Sequence, residues 1–232
     1  MKKSILVTGA NRGIGLEAVR YYANQGWRVF AGCRSPENAH ALNKMVHQFN
    51  DQINVIPLDV TRQKHITALA ATLANQPIDI LLNNAGVYGP TDTIFGNTQP
   101  DAWLETFRIN TIAPLKIIEA LIDNLSNSQD KTIVTITSKM GSIEDNGSGG
   151  SYIYRSSKAA LNAVLKSTAI DLAPKGIKVL IIHPGWVKTD MGGPNAEIST
   201  EQSIRGISRV IDSTTIKDSG TFFEYDGSLV PW

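Results

Sequence analysis

The 232 residues carry 22 Lys and Arg against 21 Asp and Glu, a net charge of +1, and 42% are hydrophobic. That balance excludes a charged disordered tail and offers no basic surface for nucleic acid, while the length suits one α/β domain, residues 1–232, on a single large sheet. No run approaches the roughly 18 consecutive apolar residues of a membrane span, and the lone Cys33 cannot form an internal disulfide, so a cytoplasmic protein without membrane partners is expected.

The apolar run at the start is too short for a signal peptide and reads as a first strand, Ser4–Thr8. Further strands are predicted at Arg28–Gly32, Asn54–Pro57, Ile78–Leu82, Thr132–Thr137, Lys178–His183 and Gly220–Phe223. Between them, 13–25, 36–49, 62–75, 101–127, 152–173 and 200–212 have helical periodicity, with Pro36 suited to a first turn and Pro174 and Gly176 ending the long helix. Runs such as Ile133-Val134-Thr135-Ile136 and Val179-Leu180-Ile181-Ile182 are apolar on successive residues and hence buried on both faces. The expectation is a doubly wound parallel sheet of about seven strands, Rossmann-type, with helices on both sides. The Gly-rich stretch 144–151 reads as a mobile loop ahead of the helix at 152.

The chemistry begins in the turn Thr8-Gly9-Ala10-Asn11-Arg12-Gly13-Ile14-Gly15. A strand, a turn with glycines at 9, 13 and 15, and a helix directly after it aim backbone N–H groups at an anion, which suits the pyrophosphate of a dinucleotide. The second strand runs into Arg34, where many NAD-binding sites carry an acid for the adenosine ribose. A guanidinium there, with Arg12 beside the turn, suits a 2′-phosphate, so NADP (NADPH) is expected rather than NAD. Surface solvation of both arginines is the competing account.

Tyr154 and Lys158 stand four apart and share a helix face. A phenol is a poor proton shuttle near pH 7, but a neighbouring ammonium and a nicotinamide cation favour phenolate and bring it into range. Ser138 ends the fifth strand at the carboxyl edge of the sheet, where its hydroxyl can donate to a developing oxyanion. Asn110 is an unfavourable residue inside a helix, which suggests a buried hydrogen-bonding task. Tyr152 and Trp186 are candidate pocket walls, and Trp27, Trp103 and Trp232 candidate packing residues. His40, His47, His65 and His183 lack metal-ligand spacing, so no metal is expected.

Seven ordered blocks, Thr8-Gly9-x-x-x-Gly13-x-Gly15, Asp59-Val60-Thr61, Asn83-Asn84-Ala85-Gly86, Asn110, Ser138, Tyr154-x-x-x-Lys158 and Pro184-Gly185, make the chain resemble the short-chain dehydrogenase/reductase family over essentially its whole length. The stretch 149–162 and the tail Gly220-Thr221-Phe222-Phe223-Glu224-Tyr225-Asp226-Gly227 are similar to its C-factor and sniffer-like carbonyl reductase branch. The resemblance implies that Ser138 orients the carbonyl, Tyr154 supplies the proton, Lys158 holds the nicotinamide ribose and Asn110 anchors a water. It implies that Asp59 and Val60 flank the adenine, and that Asn83, Ala85 and Gly86 line the cofactor groove. Pro184, Gly185 and Val187 join that set, with Thr189 at the carboxamide. From the residues alone, Asp59 is equally a helix N-cap and Gly86 a loop glycine.

The expected function is hydride transfer between NADP(H) and a small carbonyl or secondary alcohol, with Tyr154 as general acid/base. The segment at about 185–200, which covers substrate in relatives, is short here, implying an open pocket. An NADPH-binding signalling or redox-sensor protein with little turnover is the alternative, and the resemblance implies a homodimer or homotetramer built on the long helices 101–127 and 152–173. Nucleotide-sugar epimerases share the Tyr-x-x-x-Lys pair but need a C-terminal substrate domain for which the chain has too little room after His183.

Overall fold

The computed structural model describes residues 2–232. Strands β1 (Ser4–Thr8), β2 (Arg28–Cys33), β3 (Ile53–Pro57), β4 (Ile80–Asn83), β5 (Thr132–Ile136), β6 (Lys178–His183) and β7 (Phe222–Glu224) form one parallel sheet in the order β3-β2-β1-β4-β5-β6-β7. The order reverses between β1 and β4, so the loops after these two strands diverge to opposite faces and open a crevice at their carboxyl ends.

Successive apolar residues bury both faces of the sheet, as the sequence predicts. Leu180 and Ile182 of β6 pack with α1 (Gly13–Asn24) and α8 (Thr200–Ser213), while Val179 and Ile181 pack with α5 (Ala113–Ala120) and α7 (Tyr152–Leu172). Each such side chain withdrawn from water contributes about 1.5–3 kcal/mol. Helices α2 (His40–Phe49) and α3 (Gln63–Thr72) complete the two layers around β1–β3. No helix among the described residues is long and apolar enough to cross a membrane.

The boundaries depart from the sequence reading where a side chain or a backbone angle intervenes. The predicted helix 36–49 opens as a separate 3-10 turn, Pro36–Asn38, before α2. The strand expected from Ile78 begins at Ile80, because the Asp79 carboxylate accepts from the Ser4 N–H at 2.8 Å and the Gln129 N–H at 3.1 Å, serving as a clasp between neighbouring chain ends. β7 starts at Phe222, since Gly220 has φ 79° and cannot extend a strand. Most consequential is the predicted helix 101–127. It is α4 (Pro100–Phe107), a π-helical turn over Arg108–Ile112, α5 and α6 (Ile122–Ser126). Such an insertion re-aims the side chains it carries, and Asn110 lies inside it.

Candidate active site

The glycine turn is built by steric necessity. Gly9 and Gly13 have φ of 66° and 54°, and a Cβ at Gly15 would stand 2.3 Å from the Gly9 carbonyl oxygen. α1 therefore starts directly beneath the turn. Its N-cap residue Arg12 provides no side-chain cap and its first turn holds no acid, so its leading N–H groups face the crevice without a side-chain acceptor. Ile14, in the first turn of α1, packs against the core. Asn84, a brace that the sequence reading left unassigned, donates to the carbonyls of Thr8 at 2.9 Å and Gly9 at 3.2 Å. In return the Thr8 hydroxyl oxygen accepts the N–H groups of Asn84 and Ala85. The loop after β4 is thereby pinned to the turn after β1, with Ala85 against Gly9.

At the far end of the crevice, Arg34 follows β2 and makes no ion pair among the described residues. Burial acts against the Asp59 charge, but hydrogen bonds from the Thr61 N–H and hydroxyl, and the Arg62 and Arg34 cations, outweigh it and hold the carboxyl below its ordinary range. Asp59 caps the turn ahead of α3; the helix N-cap is Arg62. Val60 is buried in the core against α3 and α5. Asn83 is buried with its amide turned toward the Pro114 carbonyl.

The segment after β6 folds back on itself. Trp186 accepts the Ile198 N–H at 3.1 Å, the Lys188 N–H reaches the Ile198 carbonyl at 2.9 Å, and the Trp186 indole N–H donates to Gly192 at 2.8 Å. Gly185, just after Pro184, turns with φ 82°, and Val187 is buried. Thr189 packs against Gly13, and Asp190 meets Arg12 at 2.9 Å, so the segment bridges to the glycine turn across the mouth of the crevice.

The chemically equipped part lies at the carboxyl ends of β4, β5 and β6. Tyr154 and Lys158 are buried on α7, and Ser138, two residues beyond β5, lies beside the Tyr154 phenol with its Oγ accepting the Met140 N–H at 3.2 Å. The Lys158 ammonium donates to the Ile136 carbonyl at 3.0 Å. Asn110 is wholly buried: its Oδ1 accepts the Val87 N–H at 2.9 Å, while Nδ2 donates to the Val87 carbonyl at 2.8 Å and to the Ser157 hydroxyl at 3.0 Å. A Cβ on Gly86 would lie 3.3 Å from Asn110 Oδ1 and 3.7 Å from Lys158 Nζ, which puts the two side chains around one point. Gly141, in the short turn after Ser138, approaches so closely that an added Cβ would be 2.8 Å from the Lys158 carbonyl carbon.

Burial pushes the Tyr154 phenol up to about 12; the nearby Ser138 hydroxyl pulls it back and the Tyr88 phenol pushes it further up. The sequence reading expected an ammonium and a nicotinamide cation together to bring the phenol into range; within the protein's own residues, burial is the largest influence on it. Burial also lowers Lys158 to about 8. At pH 7 the pair is a protonated phenol beside a largely protonated amine, a proton donor supported by a cation.

The structure adds two residues that the spacing did not single out. Tyr88, two beyond Gly86, stacks on Tyr154 with ring centroids 4.5 Å apart and planes inclined by 25°. Ser157 links Asn110 to α7 by donating to the Tyr154 carbonyl at 2.8 Å. Tyr152 points elsewhere: with Met140, Ile143, Arg155 and Ala159 it lines a surface cavity of about 300 Å³ that excludes Tyr154 and Lys158. It is not a wall of the phenol's pocket, because on a helix it lies two residues out of phase with Tyr154.

The family model described as short chain dehydrogenase matches residues 3–199. The chain is 42% identical over 165 residues to the C-signal of Myxococcus xanthus, covering 71% of this chain and 99% of that protein. Among solved structures it is similar to the NADPH-bound carbonyl reductase from chicken fatty liver, at 34% identity and TM-score 0.91 over 100% of this chain and 99% of that one. It is also similar to the carbonyl reductase Sniffer of D. melanogaster, at 32% identity and TM-score 0.91 with both chains wholly covered. With the match to its model spanning both the glycine turn and the Tyr154–Lys158 pair, the chain belongs to the short chain dehydrogenase family.

Proposed function

We propose that this protein is an NADP(H)-dependent carbonyl reductase acting on a small ketone, aldehyde or secondary alcohol. The observation that carries the reading is the convergence of Ser138, a protonated Tyr154 and Lys158 at the carboxyl edge of the sheet, above a crevice whose helix N-terminus has no cap of its own.

The residues present fit a phosphorylated dinucleotide. The uncapped N–H groups of α1, reached through Gly9, Asn11, Arg12, Gly13, Ile14 and Gly15, suit a pyrophosphate. Arg34, which makes no ion pair among the described residues, suits a 2′-phosphate, with Asp59 and Val60 beside the adenine. Asn83, Ala85 and Gly86 line the middle of the groove, and Pro184, Gly185, Val187 and Thr189 the nicotinamide end. When bound, NADPH supplies the hydride to the carbonyl carbon.

Ser138 orients the substrate oxygen by hydrogen bonding to it. Tyr154, held protonated by burial, gives that oxygen its proton as negative charge develops there. Lys158 stabilises the phenolate left behind and has N–H groups besides the one on Ile136 to offer a ribose hydroxyl. Asn110, anchored through Val87 and Ser157, holds its amide next to Lys158 for a water that returns the proton. In the oxidative direction the same groups run in reverse.

Leu104 and Ile112 on the α4–α5 segment and Ile170 on α7 leave large apolar side chains exposed, which supports assembly as a homodimer or homotetramer through these helices. The fluorescence of NADPH and NADH on titration with the protein, followed by nicotinamide absorbance with dicarbonyls, quinones and aromatic ketones, tests the function. Tight NADPH binding with turnover that Tyr154→Phe abolishes is the expected result. Full turnover in that variant sinks the assignment, and binding without turnover in the wild type favours a sensor.

A further inference from the structure

We propose that Tyr88 is a positioning residue for the proton donor: its ring fixes the plane of Tyr154, and its hydroxyl fixes the start of the helix that carries Tyr154. The inference rests on the carbonyl reductase reading above for its consequence in turnover, and on contacts within the protein for its geometry.

Tyr154 is the third residue of α7, and the sequence anchors that end of the helix poorly. Ser151, the N-cap, has φ 47° and ψ 38°, makes no side-chain cap bond, and follows Gly149 and Gly150, both also at positive φ. A left-handed serine is unfavourable and persists only where its surroundings hold it. Arg155 anchors the preceding loop by donating to the Gly149 carbonyl at 3.3 Å and Ser148 Oγ at 2.8 Å, and Tyr88 holds the cap residue itself: its hydroxyl lies 2.9 Å from Ser151 Oγ, while its ring covers that of Tyr154. One side chain, arriving from the loop after β4, thus grips α7 both at its cap and at its reactive ring.

The need for such a grip follows from the phenol itself. Rotation about the bond to an aromatic ring is soft, so the ring plane is set by packing. Ser138, just beyond β5, faces the Tyr154 oxygen, and Lys158, from α7, lies 5.9 Å from the ring centroid. Neither sets the plane. The remaining charged groups at this edge face one another: Lys139 spans Asp145 and Glu224, and His183 meets Glu224 at 3.7 Å. Tyr88 is the side chain that stacks on the phenol ring.

Two variants separate ring from hydroxyl. Tyr88→Leu removes both, and Tyr88→Phe keeps the stack. With a carbonyl that the wild type reduces, Tyr88→Leu should lower kcat about tenfold while KM for NADPH stays within about twofold, and Tyr88→Phe should restore most of kcat. In protein carrying 3-fluorotyrosine, the 19F resonance that disappears in Tyr154→Phe should shift and show ring-flip averaging in Tyr88→Leu, and keep its wild-type position in Tyr88→Phe. Wild-type kcat together with an unchanged Tyr154 resonance in Tyr88→Leu overturns the proposal. If the wild type reduces no carbonyl, the functional reading fails; the 19F resonance, which needs neither cofactor nor turnover, then decides the role of Tyr88 alone.

Discussion

Asn110 and Val87 close a two-way bridge, the Asn110 amide accepting the Val87 N–H at 2.9 Å and donating to the Val87 carbonyl at 2.8 Å. This side chain thereby stands in for a strand partner that the loop after β4 lacks, and the π-helical turn at Arg108–Ile112 aims it there. Its replacement by Leu should cost about 2–4 kcal/mol in urea denaturation, since two partly buried backbone groups and the buried Ser157 hydroxyl lose their partner. Loss of activity without loss of stability would show that the bridge is not what Asn110 contributes.

Gly141 sets the spacing between the Ser138 turn and α7. In Gly141→Ala the new methyl meets the backbone of Lys158 at 2.8 Å, so either the turn or the helix must move. About 1–3 kcal/mol of destabilisation is expected, with kcat reduced more than KM for NADPH, because Ser138 and Lys158 are displaced relative to one another. Thermal denaturation and steady-state kinetics on one preparation test both parts.

Arg34 should decide between the two nicotinamide dinucleotides. Removing the guanidinium in Arg34→Ala is expected to weaken NADPH about 10- to 100-fold and leave NADH nearly unchanged, in line with the loss of one charge-assisted, forked contact to phosphate. Equal losses for both dinucleotides would place the 2′-phosphate elsewhere.

His183 makes stability depend on acid. Burial lowers its imidazole to about 4, helped by the Lys139 and Lys158 cations and opposed by Asp145. The folded group stays neutral while the unfolded one takes a proton near 6.5, so its stabilising contribution is complete above that value and lost as pH falls toward 4. The loss amounts to about 3 kcal/mol over that interval. Glu224, raised mainly by burial, acts in the opposite sense. His183→Asn should therefore flatten the urea midpoint between about pH 6.5 and 4; an unchanged slope would mean that the imidazole is solvated.

The sheet was legible because burial on both faces leaves uninterrupted apolar strands such as Val179–Ile182, and the glycine turn because positive φ at Gly9 and Gly13 restricts the residue type. Tyr154 and Lys158 were legible because a helix puts positions four apart on one face. Asn110 was marked by its poor fit to a helix, although nothing local announced the π turn that resolves the misfit: periodicity cannot distinguish one extra residue within a long apolar pattern.

By itself, then, the sequence determined what depends on neighbours in the chain: strand and helix identity, the glycine turn, the phenol–amine pair and the basic residue where an acid is common. Only the tertiary structure decided which distant residues meet. Tyr88 reaches Tyr154 because β4 and β5 are adjacent in the sheet and α7 crosses their carboxyl ends; across 63 positions the Tyr88–Ser151 contact has no period and no spacing rule. The protonation of Tyr154 was decided in the same way, since desolvation is set by everything packed around the phenol rather than by the lysine four residues along.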